Sequence, residues 1–214
     1  MRYGALIIFV LGLGGMVGEG NGGNGGSGGS GVCKGVDKEL EALAAALKEI
    51  PSPTYGAALM LKVADEDAFE AKNNIYFGVK NLHVTIGFLE MKDEEALKKA
   101  LMLGKGFLEQ ELKKGVYNFC IEKCEPKFGK VTVFTPTKKT ENLLKKLNLS
   151  LEQNLAQSGI KLNPQTQSSA YIPHMTIVFK VLDPNAVSDI NQKLQNKICC
   201  LAFDSVESSK IKKM

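Results

Sequence analysis

Two histidines carry the acid–base chemistry that this chain can offer, because His83 and His174 are the only ones in the sequence. They begin the segments His-Val-Thr-Ile-Gly-Phe and His-Met-Thr-Ile-Val-Phe, which lie 91 residues apart (174 − 83 = 91). Side chains alternate across a strand, so each histidine shares a face with the threonine two residues later, Thr85 or Thr176. The apolar residues are then expected on the opposite face: Val84, Ile86, Phe88, Met175, Ile177 and Phe179.

This repeated pattern suits the cleavage of a phosphodiester. One imidazole can remove a proton from the attacking oxygen while the other delivers a proton to the leaving oxygen. The two threonine hydroxyls can donate hydrogen bonds to the non-bridging phosphoryl oxygens. A metal site would need a third ligand, and neither segment contains a carboxylate or a thiolate, so we expect neither a metal nor another cofactor.

The paired segments resemble the His-x-Thr-x signatures of the two-histidine phosphoesterase superfamily, and Pro173 before the second copy is also typical of it. The resemblance covers about Tyr55 to Val206 and is closest to the branch that contains the central domain of A-kinase anchoring proteins. It implies a metal-independent phosphodiesterase that cleaves ribose 2′ phosphoesters, either of 2′,5′-oligoadenylate type or in 2′,3′-cyclic nucleotides and RNA ends. It also implies His174 as base and His83 as acid when a cycle is hydrolysed, with the two roles open to exchange in the transesterification direction.

The expected partner is therefore a short oligonucleotide or nucleotide substrate, bound by a monomer that forms no stable nucleic-acid complex. The alternative is a non-catalytic module that binds an AMP-like nucleotide in the same place. The formal charge of +4 fits either, because it is too weak to predict nucleic-acid binding by bulk electrostatics.

Several residues are candidates for holding the substrate beside the histidines. Phe128 in a predicted turn is a candidate for stacking on a nucleobase, and Lys130 near a strand end for attracting phosphate. Tyr171 is a further substrate-binding candidate, although its odd offset from the second histidine favours a core or edge aromatic if the strand is unbroken. Equally open alternatives for stacking or phosphate attraction are Tyr76, Phe77 and Lys180.

The pattern of elements predicts an α+β fold of two pseudo-symmetric lobes, with antiparallel strands flanked by helices and a central cleft between the two His-x-Thr-x strands. Apolar periodicity, caps and turn residues set the expected bounds. Strands are predicted at 55–63, 82–89, 117–124, 130–135, 171–181 and 199–206, with a hairpin turn at 125–129. Helices are predicted at 38–50, 93–114, 137–158 and 185–195.

The first 32 residues differ from the rest, since they hold 13 of the 22 glycines. A single arginine precedes a short apolar run that ends in small residues, so we expect a signal peptide at 1–20, followed by a glycine-rich linker at 21–32. The phosphoesterase-like domain then covers 33–214. The expected location is secreted or in the lumen of the secretory pathway, with no membrane span in the mature chain; it is cytoplasmic if the leader is not functional.

Export would have two chemical consequences. One disulfide, for example from Cys120 to a distant partner, becomes possible among the five cysteines, although the sequence does not give the pairing. The sequence Asn148-Leu149-Ser150 would also become a glycosylation acceptor in a eukaryotic host.

Overall fold

The computed structural model describes residues 54–75, 80–195, 197 and 199–214. All of the described residues belong to one compact unit of the chain, 52–214. The predicted leader, the linker and the helix at 38–50 lie outside the described residues, as do Tyr76 and Phe77. No helix within the described ranges is long and apolar enough to cross a membrane.

Seven strands and four α-helices alternate along the described chain. The strands are β1 (Tyr55–Val63), β2 (His83–Met91), β3 (Asn118–Lys127), β4 (Val131–Pro136), β5 (Met175–Val178), β6 (Cys200–Ser208) and β7 (Lys212–Lys213). The helices are α1 (Glu66–Asn73), α2 (Glu94–Leu112), α3 (Lys138–Ala156) and α4 (Pro184–Leu194), with a 3₁₀ turn at Pro164–Thr166. The α+β fold class is therefore confirmed.

The strand pairings form a closed ring with two equivalent halves. The order is β2-β5-β4-β3-β6-β1, β1 pairs again with β2, and β7 adds to β1. The half β1-α1-β2-α2-β3 has the same order of elements as the half β4-α3-β5-α4-β6. If β1, β2 and β3 change places with β4, β5 and β6, the same set of strand pairings results. The two pseudo-symmetric lobes are confirmed by this pattern, and a cleft between the two motif strands stays a prediction.

Helix α2 packs on β1, β2 and β6, and helix α3 packs on α2 and on β2, β3 and β4. The Asp93 side chain caps α2 by accepting hydrogen bonds from the amides of Glu95 at 2.8 Å and Ala96 at 3.4 Å. Gly104 lets α2 approach the sheet closely, because a Cβ there would collide with Leu59.

One disulfide joins the two halves on the β3–β6 side of the ring. Cys120 and Cys200 are direct neighbours in the antiparallel register and are bonded to each other. They are 80 residues apart in sequence, so the bond removes loop-closure entropy from the unfolded chain worth on the order of 4 kcal/mol. Cys124 and Cys199 are buried and free.

The second motif strand is shorter than the predicted strand at 171–181. It ends early because the Thr132 hydroxyl donates to the Lys180 carbonyl at 2.9 Å and accepts from the Leu182 amide at 3.0 Å, in place of ladder bonds. Pro173 also lacks an amide hydrogen with which to extend the strand before Met175. The short elements α1 and β7 were not predicted.

The predicted glycosylation of Asn148 is wrong for this fold. Asn148 is 0% exposed, and its side-chain amino group donates to the carbonyls of Ile86 at 2.6 Å and Thr166 at 2.9 Å. A glycan on this nitrogen would have no room and would break bonds that hold the first motif strand.

Candidate active site

The two histidine segments are neighbours in the sheet. Val84 of β2 pairs with Met175 of β5, and both are 0% exposed. Counting one residue outward in this antiparallel register places Thr85 beside His174 and His83 beside Thr176. All four polar residues are partly exposed on the face opposite Val84 and Met175. The structure thus brings together the four residues that the sequence singled out.

Both imidazoles are held in the same way. Nδ1 of His83 lies 3.0 Å from the Asn81 carbonyl oxygen, and Nδ1 of His174 lies 2.8 Å from that of Ile172. A carbonyl oxygen only accepts, so Nδ1 must carry the proton in each ring. Nε2 is therefore left on both rings as the atom that is available to gain or lose a proton.

The turn before His83 is fixed by a carboxylate that sequence reasoning missed. Glu66 of α1 accepts hydrogen bonds from the amides of Asn81 at 3.0 Å and Leu82 at 2.7 Å. Asn81 has a φ of 64° and supplies the carbonyl that holds the His83 ring. The acidic stretch at 65–67 gave no signal of this role, because its partner amides are 15 and 16 residues away.

The surroundings of His174 favour its neutral form. Burial lowers the pKa of His174, and the positive charges of Lys127 and His83 lower it further, while the bond to the Ile172 carbonyl opposes them. A neutral imidazole with Nδ1 protonated has a free lone pair on Nε2. His174 is therefore suited to remove a proton at neutral pH.

A pocket of about 830 Å³ opens beside Thr85 and His174. This volume suits a small-molecule ligand, and the walls are largely apolar. His83 and Thr176 are not among its lining residues, which are Ala58, Thr85, Phe88, Glu90, Phe128, Asn163, Gln165, Thr166, Ala170, Tyr171, Ile172, His174 and Met214.

A β-bulge brings Phe88 to this pocket, although the alternation predicted it for the buried face. Leu59 pairs with Gly87 and Met60 with Thr85, so Ile86 is an extra residue on β2. Beyond the bulge the alternation is reversed, and Phe88 shares the pocket with Thr85. Phe179 also departs from the prediction, since it lies after the end of β5 and is 74% exposed.

The Phe88 ring has a glycine beneath it. A Cβ added at Gly56, on the neighbouring strand β1, would lie 2.7 Å from Cζ of Phe88. The absence of a side chain at Gly56 therefore leaves room for the ring at the pocket wall. The sequence shows Gly87-Phe88 in the first motif, but it does not show that Gly56 of β1 lies against the Phe88 ring.

Phe128 lies at the tip of the β3–β4 hairpin and contacts the second histidine. Its ring centroid is 4.9 Å from that of His174, and 53% of the residue is exposed. Its φ of 55° is a strained conformation for a bulky residue, followed by Gly129 at 65°. This turn presents a large aromatic face beside the imidazole.

Tyr171 lines the pocket, but its hydroxyl is already used. The residue is 5% exposed, and its hydroxyl donates to the Thr85 carbonyl at 2.9 Å. Burial raises the pKa of Tyr171, so the hydroxyl stays protonated and acts as a donor. Its contribution is to hold β2 at the residue that faces His174.

Beyond Thr85, backbone amide and carbonyl groups of β2 form hydrogen bonds with the segment 163–171 and with α3. The Phe88 amide donates to the Thr166 hydroxyl at 2.9 Å, and the Phe88 carbonyl accepts from the Asn163 amide at 2.8 Å. Asn148 of α3 completes this set at the Ile86 carbonyl. The bulge and the site residues on either side of it are thus fixed by contacts that are distant in sequence.

The cation near His174 is Lys127, whereas the predicted Lys130 is exposed and does not line the pocket. Lys127 Nζ also lies 3.1 Å from Glu125 Oε1. Lys180 is exposed as well. Within the described ranges, no group of three or more histidine, cysteine, aspartate or glutamate side chains could hold a metal ion.

Replacing Lys127 by glutamine should move the acidic limb of any activity that needs neutral His174 to higher pH. Removal of the positive charge raises the pKa of His174, so more of the ring is protonated below neutrality and cannot act as a base. The rate near pH 5 should fall about two- to threefold, as expected for a partly exposed charge. Rate–pH profiles of Lys127→Gln and of the matched control Lys130→Gln test this. Equal profiles for the two variants would contradict it.

Comparison with known proteins finds likenesses among solved structures only. E. coli LigT complexed with 3′-AMP is similar over 72% of this chain and 83% of that one, with a TM-score of 0.39 and 14% identity. A conserved protein of unknown function from Agrobacterium tumefaciens is similar over 76% of this chain and 85% of that one, with a TM-score of 0.40 and 11% identity. No family model matches the chain, and no curated protein does. Since both TM-scores are below 0.5, the chemistry of this chain has to be inferred from its own residues.

Proposed function

We propose that this chain is a two-histidine phosphoesterase that cleaves ribose 2′ phosphoesters without a metal ion. The observation that carries the proposal is the adjacency of two identically held imidazoles. Each donates Nδ1–H to a backbone carbonyl and leaves Nε2 free, and each has the other motif's threonine as its register neighbour. An imidazole pair and two hydroxyl donors on one face suit in-line displacement at phosphorus, with one ring as base and the other as acid.

In the hydrolysis of a 2′,3′-cyclic phosphate, Nε2 of His174 removes a proton from water as the water oxygen bonds to phosphorus. The bond from phosphorus to one ribose oxygen breaks, and Nε2 of His83 delivers a proton to that oxygen. The lowered pKa of His174 supports its assignment as the base. Thr85 and Thr176 donate hydrogen bonds to the phosphoryl oxygens and stabilise the charge that develops there.

A 2′,5′-linked oligonucleotide fits the same chemistry. The neighbouring 3′-hydroxyl attacks the phosphorus after losing its proton to one imidazole, and the 5′-oxygen leaves with a proton from the other. The product is a 2′,3′-cyclic phosphate, which the preceding step can open. The ribose hydroxyl next to the scissile bond is therefore the feature that defines the substrate class.

The pocket supplies stacking surfaces for the nucleoside of such a substrate. Phe128 lies against His174, and Phe88 faces the same space from β2. Base–aromatic stacking contributes about 1–3 kcal/mol per base. The apolar walls also favour the second candidate function, binding of an AMP-like nucleotide without turnover.

The decisive experiment is incubation of the protein in EDTA with 2′,5′-linked, 3′,5′-linked and 2′,3′-cyclic substrates. We expect cleavage of the 2′-linked or cyclic substrates and none of the 3′,5′-linked ones with a 2′-deoxyribose. Calorimetric titration with AMP in the same buffer separates the two candidate functions. Binding without cleavage of any substrate would establish the nucleotide-binding module, and cleavage only after addition of a divalent ion would reject the metal-free mechanism.

We also propose that the domain works in an oxidising compartment. The Cys120–Cys200 bond joins the two halves of the ring, and disulfides of this kind persist mainly in exported proteins. This supports the secreted or lumenal location that the leader at 1–20 predicts.

A further inference from the structure

The pocket has a second polar end that the proposed chemistry does not use. Glu90 lies at this end, five residues beyond Thr85 on β2, and it lines the same pocket as His174. Five residues of strand span about 16 Å, and less across the bulge. This separation between the backbone positions of Thr85 and Glu90 is sufficient for a nucleoside whose phosphate lies beside Thr85 and His174.

The Glu90 carboxylate is held in place from two sides. The Thr54 hydroxyl donates to Oε1 at 2.9 Å, and the Asn163 amino group donates to Oε2 at 3.0 Å. Asn163 cannot turn its amide around, because its own carbonyl oxygen accepts from the Gln165 amide at 3.0 Å. The carboxylate is therefore pre-positioned in the pocket lining before any ligand binds.

A carboxylate accepts hydrogen bonds and repels anions, so it excludes a phosphate group from its end of the pocket. A phosphate at the histidine–threonine end leaves the ribose between the aromatic rings and the base edge at Glu90. The group that meets Glu90 must then be a hydrogen-bond donor. An exocyclic amino group of a nucleobase satisfies this requirement, and an oxo group in the same position does not.

We propose that Glu90 selects nucleotides whose base presents an exocyclic amino group, as in adenine and cytosine. This inference rests on the proposed function, because it takes the phosphate to lie between the two histidines. Glu90 is then a specificity-determining residue, and Asn163 is the residue that positions it.

The test compares two ligand pairs that differ only in the presence of the 6-amino group. The 2′,3′-cyclic phosphates of adenosine and purine riboside are compared by kcat/KM, and AMP and purine riboside monophosphate by calorimetry. Wild-type protein should favour the amino ligand about tenfold or more, the effect expected of a hydrogen bond to a charged group. In Glu90→Gln the preference should fall severalfold, because a neutral amide oxygen is a weaker acceptor than a carboxylate. The matched control Glu109→Gln, in the last turn of α2 and outside this pocket, should keep the wild-type ratio.

The outcomes separate this inference from the proposed function. Turnover with the same ratio in wild type and Glu90→Gln overturns the role of Glu90 and leaves the phosphodiesterase intact. A parallel loss for both ligands in Glu90→Gln also overturns it, since contact with a ribose hydroxyl would act equally on both. Tighter binding of AMP than of purine riboside monophosphate that is reduced in Glu90→Gln supports the role of Glu90 even if no substrate is cleaved.

Discussion

His83→Ala and His174→Ala should each lower kcat by about 10²- to 10⁴-fold on the best substrate of the panel, the usual range for a general acid or base. Each replacement removes the only Nε2 that can move a proton at its end of the reaction. The double variant should lose little more than the worse single one, because the two rings act as a unit. Steady-state and single-turnover rates on 2′,3′-cyclic and 2′,5′-linked substrates measure these effects.

Binding provides the control for the histidine variants. His83 does not line the pocket, and His174 is one of thirteen lining residues, so AMP should still bind His83→Ala with an affinity near that of the wild type and His174→Ala with a modest loss. Lys130→Gln serves as a control variant, because the residue is exposed and outside the pocket. Wild-type turnover by either histidine variant on every substrate would overturn the acid–base assignment. The nucleotide-binding module would then be the better description.

Asn148→Ala should lower the free energy of unfolding by about 2–5 kcal/mol. The change leaves the carbonyls of Ile86 and Thr166 without their donor in a buried place, and each unsatisfied group costs about 1–3 kcal/mol. The Asn148 side-chain oxygen is buried without a hydrogen-bond partner among the described residues, so its stabilising bonds come from the amino group. A loss of 3 kcal/mol should lower Tm by about 6–12 °C in a domain of this size.

Asn191 offers a matched control for this prediction. Its side chain also bonds two backbone groups, the amide of Cys124 at 2.7 Å and the carbonyl of the same residue at 2.9 Å. Asn191 is only partly buried, so water can replace its amide, and Asn191→Ala should cost about 1 kcal/mol. Denaturant unfolding of both variants decides the matter. Equal stability losses for the two would contradict a special role for Asn148.

Local pattern was enough to predict most of the elements. The strand at 55–63 was placed with its observed bounds, and the two long helices lie within two residues of their predicted ends. These helices are recognisable because their apolar residues recur at helical spacing; Leu97, Leu101 and Leu108 are buried as expected. The common face of His83 and Thr85, and that of His174 and Thr176, also followed from alternation, since each pair is two residues apart.

The tertiary structure decided what surrounds those four residues. The adjacency of β2 and β5, the bulge that turns Phe88 into the pocket and the choice of Lys127 over Lys130 depend on partners far away in sequence. The same holds for the pairing of Cys120 with Cys200 and for the burial of Asn148, which a local acceptor sequence had suggested would be exposed. The spacing of apolar residues and the secondary-structure propensities of a segment indicate which face of its own element a residue occupies. Which element lies against that face is set by pairing between segments that are tens of residues apart, and no local pattern contains that information.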